Sequence, residues 1–166
     1  GYQYFLSHMR PKIRGWLRLR SADPVHHPDI VFNYLDDPAD AEEMLDGLAQ
    51  TREMARQAPW QAMGGTELTP GPDVRNRAEA LAWMRRIGNT EHHPVGTCRM
   101  GHDAMAVTDA EGLVHGLSGL RVVDGAILPL IPTANVNAPI IMVAEKIADR
   151  IRSRAPMPPE HLVPAR

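Results

Sequence analysis

The residues most able to do chemistry lie in two segments of the last half of the chain. The first is Glu91-His92-His93-Pro94-Val95-Gly96-Thr97-Cys98-Arg99-Met100-Gly101-His102. A histidine placed directly before a proline has its backbone driven out of the helical region. Gly96 and Gly101 let the chain turn tightly or approach another group closely. Imidazole groups titrate near neutral pH, so a histidine held this way suits proton transfer. The second segment runs from Val122-Val123-Asp124-Gly125 through Ile131-Pro132-Thr133-Ala134-Asn135-Val136-Asn137-Ala138-Pro139. It reads as a strand end, a proline-rich loop bearing two asparagines, and the start of a helix. Free N–H groups at such a start favour an anionic or electron-rich ligand. A zinc site built from His92, His93, Cys98 and His102 has suitable ligand types, but its spacing fits no common zinc pattern.

These segments need elements to carry them. Residues Arg14 to Arg20 alternate, placing Leu17 and Leu19 on one face and Arg18 and Arg20 on the other. Ile30 to Leu35 is rich in β-branched and aromatic residues, and Ser21-Ala22-Asp23-Pro24 between the two runs is turn chemistry. An antiparallel pair is expected. A helix follows, with Asp37 as its N-cap and Pro38 in the first position. Met44, Leu45, Leu48 and Met54 share its apolar face, and Pro59 ends it. Residues 61–73 read as loop, and a second helix is expected from Val74 to Ile87, capped by Asp73 and closed by Gly88. Val107-Thr108 and Leu113-Val114 flank a hairpin turn at 109–112. Leu120 to Asp124 reads as a buried strand. The final helix presents Ile140, Ile141, Ala144, Ile147, Ala148 and Ile151 on one side, with Asn137 as its expected N-cap. The expected divisions are 1–90, 91–154 and a mobile proline-rich end at 155–166.

Composition narrows the functional classes. The 166 residues carry 18 Lys+Arg against 20 Asp+Glu, a formal charge of −2, which is not the electrostatic footprint of a nucleic-acid binder. No apolar run approaches the ~20 residues of a bilayer helix, and no leader is visible at Gly1-Tyr2-Gln3-Tyr4; a cytoplasmic location is the expectation. The single cysteine, Cys98, rules out an internal disulfide framework and reads as a buried small hydrophobe. No G-x-S-x-G elbow supports a hydrolase.

The run His93-Pro94-Val95-Gly96-Thr97-Cys98-Arg99-Met100-Gly101, then Leu120-Arg121-Val122-Val123-Asp124, then Asn135-Val136-Asn137-Ala138-Pro139 with Ala144 to Asp149, resembles the C-terminal signatures of the glucose–methanol–choline (GMC) oxidoreductases, in the same order and spacing. The likeness covers residues 9–152. Its asparagine pair is closer to choline dehydrogenase-like alcohol dehydrogenases than to glucose oxidase. The resemblance implies an α+β fold: an antiparallel sheet with flanking helices forming a substrate-binding domain, plus a strand and helix that belong to a Rossmann-like FAD domain. It implies His93 as catalytic base and Asn135 as the second active-site group. It also implies contact of Asp124, Gly125, Asn137, Ala138 and Pro139 with FAD, and an alcohol as the small-molecule substrate. No metal is implied. The family's G-x-G-x-x-G turn has no counterpart here, because no two glycines are separated by one residue. The chain is therefore expected to be the C-terminal part of an enzyme whose FAD-binding segment lies elsewhere, and to be inactive alone. The alternative is a non-catalytic or split-subunit module that pairs with a separate FAD-binding chain.

Overall fold

The structure is a computed structural model that describes residues 1–155 together with 157 and 158. The expected mobile end, 155–166, falls outside the described residues except for Ala155, Met157 and Pro158. The chain is α+β and divides into two units, Gly1–His92 and His93–Arg166.

In the first unit, β1 (Trp16–Arg18) and β2 (Asp29–Val31) pair antiparallel, with Trp16 opposite Val31 and Arg18 opposite Asp29. The pairing is as expected, but both strands are shorter than the sequence pattern suggests. Gly15 sets one limit: a Cβ there would lie 2.1 Å from the Val31 carbonyl oxygen, so the backbones approach too closely for a side chain. Asn33 sets the other. Its backbone is left-handed (φ 57°) and its side-chain amide donates to the Arg14 carbonyl at 2.9 Å, which bends the chain out of the ladder. The alternation at 14–20 does not divide a buried from an exposed face, since Leu17 and Leu19 are both exposed.

Helix α1 (Pro38–Ala55) begins as its residues dictate: the Asp37 side chain accepts from the amides of Ala39 and Asp40, and Pro38 occupies the first turn. Asp40 is buried in that turn, where its carboxylate accepts from the amides of Lys12 and Ile13. These bonds satisfy a charge that would otherwise be costly to bury. Upstream, Leu6 rests on Gly47 of α1, and Tyr2, Tyr4 and Trp60 pack ring to ring at 5.0–5.6 Å. Pro59 does not end α1. The helix closes at Ala55, and Pro59 sits in the first turn of α2 (Ala58–Ala62), where its missing N–H leaves no bond unmade. Met54 is exposed, so the core-facing stripe of α1 is Met44, Leu45 and Leu48.

Helix α3 (Arg77–Ile87) starts three residues later than expected, capped by Asn76 instead of Asp73. The reason is a reciprocal capping box. The Asn76 side chain accepts from the Glu79 amide at 3.0 Å, and Glu79 accepts from the amides of Arg75 and Asn76. Arg77 then reaches both Glu42 and Asp46 on α1. Leu45, Ala80 and Met84 form the core between α1 and α3, with Leu35, Val74 and Trp83 against it.

The second unit is built from bridges and turns leading to one long helix. The expected hairpin is present as a bridge between Thr108 and Val114, closed by an Asp109 side chain that accepts from the amides of Glu111 and Leu113. Gly112 turns it with φ +74°, and a Cβ there would lie 2.6 Å from the Val122 carbonyl oxygen. The expected buried strand at 120–124 is replaced by a single antiparallel bridge, Leu113 to Arg121, with Leu120 exposed. A strand needs a continuous ladder, and beyond Val122 no neighbouring segment continues one among the described residues. Helix α4 (Asn137–Ile151) follows; of its apolar stripe Ile147 is buried while Ile141 and Ile151 are exposed. Among the described residues no helix is long and apolar enough to cross a membrane.

Three tests follow from this architecture. Asn76→Ala should cost about 1 kcal/mol, the usual worth of an N-cap, in chemical denaturation. The Arg75 amide holds the Glu79 carboxyl below its ordinary range. That stabilisation is present above the ordinary glutamate range and is lost as pH falls through the lowered folded value, so Glu79→Gln should flatten the acid limb of the stability–pH curve. Gly112→Ala should lower stability by at least the ~1–2 kcal/mol of a left-handed alanine, because the new methyl also meets the Val122 carbonyl. An unchanged midpoint in Asn76→Ala or Gly112→Ala, or an unchanged acid limb in Glu79→Gln, contradicts the assigned role.

Candidate active site

The site is assembled from the second unit, beginning at His93. Its predecessor His92 is exposed and left-handed (φ 60°), with its amide bonded to Thr90 Oγ1 at 3.0 Å. His93 itself is half-buried, and its ring makes no hydrogen bond among the described residues. Beyond Pro94 the chain passes Gly96, whose φ of +88° brings it beside the Leu128 carbonyl oxygen. It then runs alongside the 124–128 turn: the Cys98 amide donates to the Ala126 carbonyl at 3.0 Å, and the Met100 amide to the Ile127 carbonyl at 2.8 Å.

That turn is a 3-10 helix over Gly125–Ile127, capped by Asp124, whose carboxylate accepts from the Ala126 amide at 2.7 Å. Ile127 is fully buried and anchors it. A Cβ added to Gly125 would lie 3.1 Å from Ile140 Cδ1 and 3.5 Å from the Pro94 carbonyl oxygen. The histidine segment, the Asp-Gly turn and the first turn of α4 therefore meet at one glycine.

Helix α4 starts differently from the sequence expectation. Val136, buried and already in the helical region, occupies the N-cap position; Asn137 is the first helical residue and caps nothing. An N-cap side chain must sit on an extended backbone to reach back to the helix amides, and Val136 denies that geometry. Asn137 and Ala138 are exposed and no side chain caps the helix, so their amides keep the partial positive charge of a helix start. Asn135 is exposed just ahead of them. No hydrogen bond joins Asn135 to His93 among the described residues.

Other features of the histidine segment are structural. Arg99 binds Asp103 in a two-point ion pair and holds its carboxyl far below the usual carboxylate range, chiefly through the hydrogen bond itself. His115 Nε2 lies 3.1 Å from the Gly101 carbonyl, and Cys98 is half-buried instead of fully buried. Among the described residues no group of three or more His, Cys, Asp or Glu side chains is placed to hold a metal. Sequence reasoning missed Thr108, which is fully buried and bonds through its hydroxyl to the Cys98 carbonyl. Only its place opposite Cys98 distinguishes it from an ordinary hairpin threonine.

Comparison with known proteins bears on the whole arrangement. The chain is 50% identical over 158 residues to an oxygen-dependent choline dehydrogenase of Chromohalobacter salexigens, and 49% over 157 residues to one of Burkholderia cenocepacia. Each match covers 95% of this chain and 28% of the relative, so the chain spans about 28% of the length of these curated relatives. Among solved structures, an FAD-dependent oxidoreductase from Chaetomium thermophilum superposes with a TM-score of 0.81 at 29% identity, covering 88% of this chain and 26% of that one. Pyridoxine 4-oxidase from Mesorbium loti gives 0.79 at 29% identity, covering 89% and 29%. The family model described as GMC oxidoreductase matches residues 11–144, which span the β1–β2 pair, the histidine segment, the Asp-Gly turn and the start of α4. On these grounds the chain belongs to the GMC oxidoreductase family, among its choline dehydrogenase-like members.

Proposed function

We propose that this chain is the C-terminal part of an FAD-dependent oxidoreductase that converts an alcohol to an aldehyde or ketone, with His93 as the base and Asn135 as its partner. The observation that carries this reading is the half-identity to oxygen-dependent choline dehydrogenases along 95% of the chain. Choline is accordingly the first alcohol to test. The short share of the relatives' length is consistent with an FAD-binding segment on another part of the protein.

The residues present fit a flavin. The uncapped amides at Asn137 and Ala138 offer two donors and the positive end of the α4 dipole to an electron-rich ring edge. Pro139 supplies no donor but tolerates this first turn, while Gly125 keeps the adjoining turn free of a side chain. Asp124, Gly125, Asn137, Ala138 and Pro139 are thus the residues that would face the cofactor. When bound, the flavin supplies the two-electron acceptor for the hydride leaving the substrate carbon.

The chain's own residues do the proton chemistry. Oxidation of a CH–OH group requires removal of the hydroxyl proton, and a neutral imidazole at His93 accepts it. Its ring has no partner among the described residues that would compete for that role. The Asn135 amide donates an N–H to the oxygen as negative charge develops, an electrostatic contribution that is largest where water is excluded. His93 sits on a segment clamped to the 124–128 turn, so the base is carried on fixed backbone.

In the FAD-loaded protein, His93→Ala should slow reduction of the flavin by alcohol ~10²–10⁴-fold, the usual worth of a general base, as followed by stopped-flow absorbance. Asn135→Ala should slow the same step by roughly 10²–10³-fold. A wild-type reduction rate in His93→Ala removes the proposed base.

A further inference from the structure

Thr108 combines two properties that rarely meet at one position: it is fully buried, and it carries a hydroxyl. That hydroxyl donates to the Cys98 carbonyl at 3.1 Å. The main chain of the same residue is tied as well. Its carbonyl accepts from the Gly101 amide at 2.9 Å, and it forms bridges to Met100 on one side and Val114 on the other. Cys98 and Met100 are the residues whose amides grip the Ala126 and Ile127 carbonyls. Thr108 is therefore the middle of three adjacent segments, and its side chain is bonded to the segment that begins at His93.

A hydrophobic residue of similar size would keep the backbone bridges but leave the Cys98 carbonyl without its side-chain donor. Cys98 would then be held only through its amide, while Arg99 and Met100 keep their backbone bonds; the stretch from His93 to Cys98 would lose one of the two ties that fix its far end. A shift of this kind changes catalysis more than binding, because the direction of proton transfer depends on the imidazole's placement.

We propose that Thr108 is a positioning residue for His93: its hydroxyl, by holding the Cys98 carbonyl, sets the orientation of the histidine-bearing segment against the 124–128 turn. The inference rests on His93 acting as the base. The test compares Thr108→Val, Thr108→Ser and His93→Ala in the FAD-loaded protein, measuring the flavin reduction rate, the half-saturating alcohol concentration and the pH profile of reduction. Thr108→Val is expected to slow reduction by ~10-fold or more at an unchanged half-saturating concentration and with a displaced pH profile. Thr108→Ser, which keeps the hydroxyl, is expected to retain the wild-type rate and profile.

A merely structural role would lower the melting temperature of Thr108→Val and leave rate and profile alone, which overturns the proposal. So does a folded Thr108→Ser variant that keeps the hydroxyl yet reduces the flavin ~10-fold or more slowly than the wild type, and this arm decides the matter if Thr108→Val does not fold. If His93→Ala slows reduction and Thr108→Val does not, the positioning role alone falls. If His93→Ala has no effect, the assignment of the base falls, and this inference with it.

Discussion

The site depends on one backbone contact: the amides of Cys98 and Met100 donating to the carbonyls of Ala126 and Ile127. Neither segment has the length or periodicity to be stable alone. Each is a short, glycine-punctuated run whose polar backbone groups need partners once they are partly buried. Bonding to each other satisfies them, and it places Pro94 against the Asp124-Gly125 turn and the first turn of α4. Gly125 eases this meeting, since a Cβ there would crowd Ile140 Cδ1 at 3.1 Å and fill the space up to the Pro94 carbonyl. A segment bearing a histidine and a helix start with free donors are thereby brought to the same turn.

Elsewhere, small polar side chains do the local organising. Asp37, Asn76, Asp109 and Asp124 each accept from nearby backbone amides and so start a helix or close a turn. Where buried, Asp40 accepts from the amides of Lys12 and Ile13, and Thr108 does the converse, donating its hydroxyl to the Cys98 carbonyl; each bond ties neighbouring segments together. By contrast, apolar burial is thin: the α1–α3 core rests on Leu45, Ala80 and Met84, and both the β1–β2 ribbon and the α4 stripe keep large apolar residues exposed. Such a chain relies on satisfied polar groups to define its loops.

Much of the architecture was legible from residue types. The Asp37-Pro38 start of α1, the antiparallel pairing of the first two strands, the 109–112 turn and the extent of α4 follow from capping, turn and periodicity rules that act within a few residues. The histidine segment and the asparagine-bearing loop stood out for their unusual run of Pro, Gly and polar residues, and they fall within the span matched by the GMC oxidoreductase model.

What the sequence by itself determined was therefore the start of α1, the 109–112 turn and the types of the candidate groups, because caps, turns and side-chain chemistry are properties of neighbouring residues. Tertiary structure decided the rest. Arg77 pairs with Glu42 and Asp46 of α1, residues 35 and 31 positions away. Val136 took the helix start from Asn137. The run at 120–124 became a single bridge because a strand exists only by virtue of its neighbours. The role of Thr108 was equally hidden, for a buried hydroxyl is recognisable only when the carbonyl it meets is known.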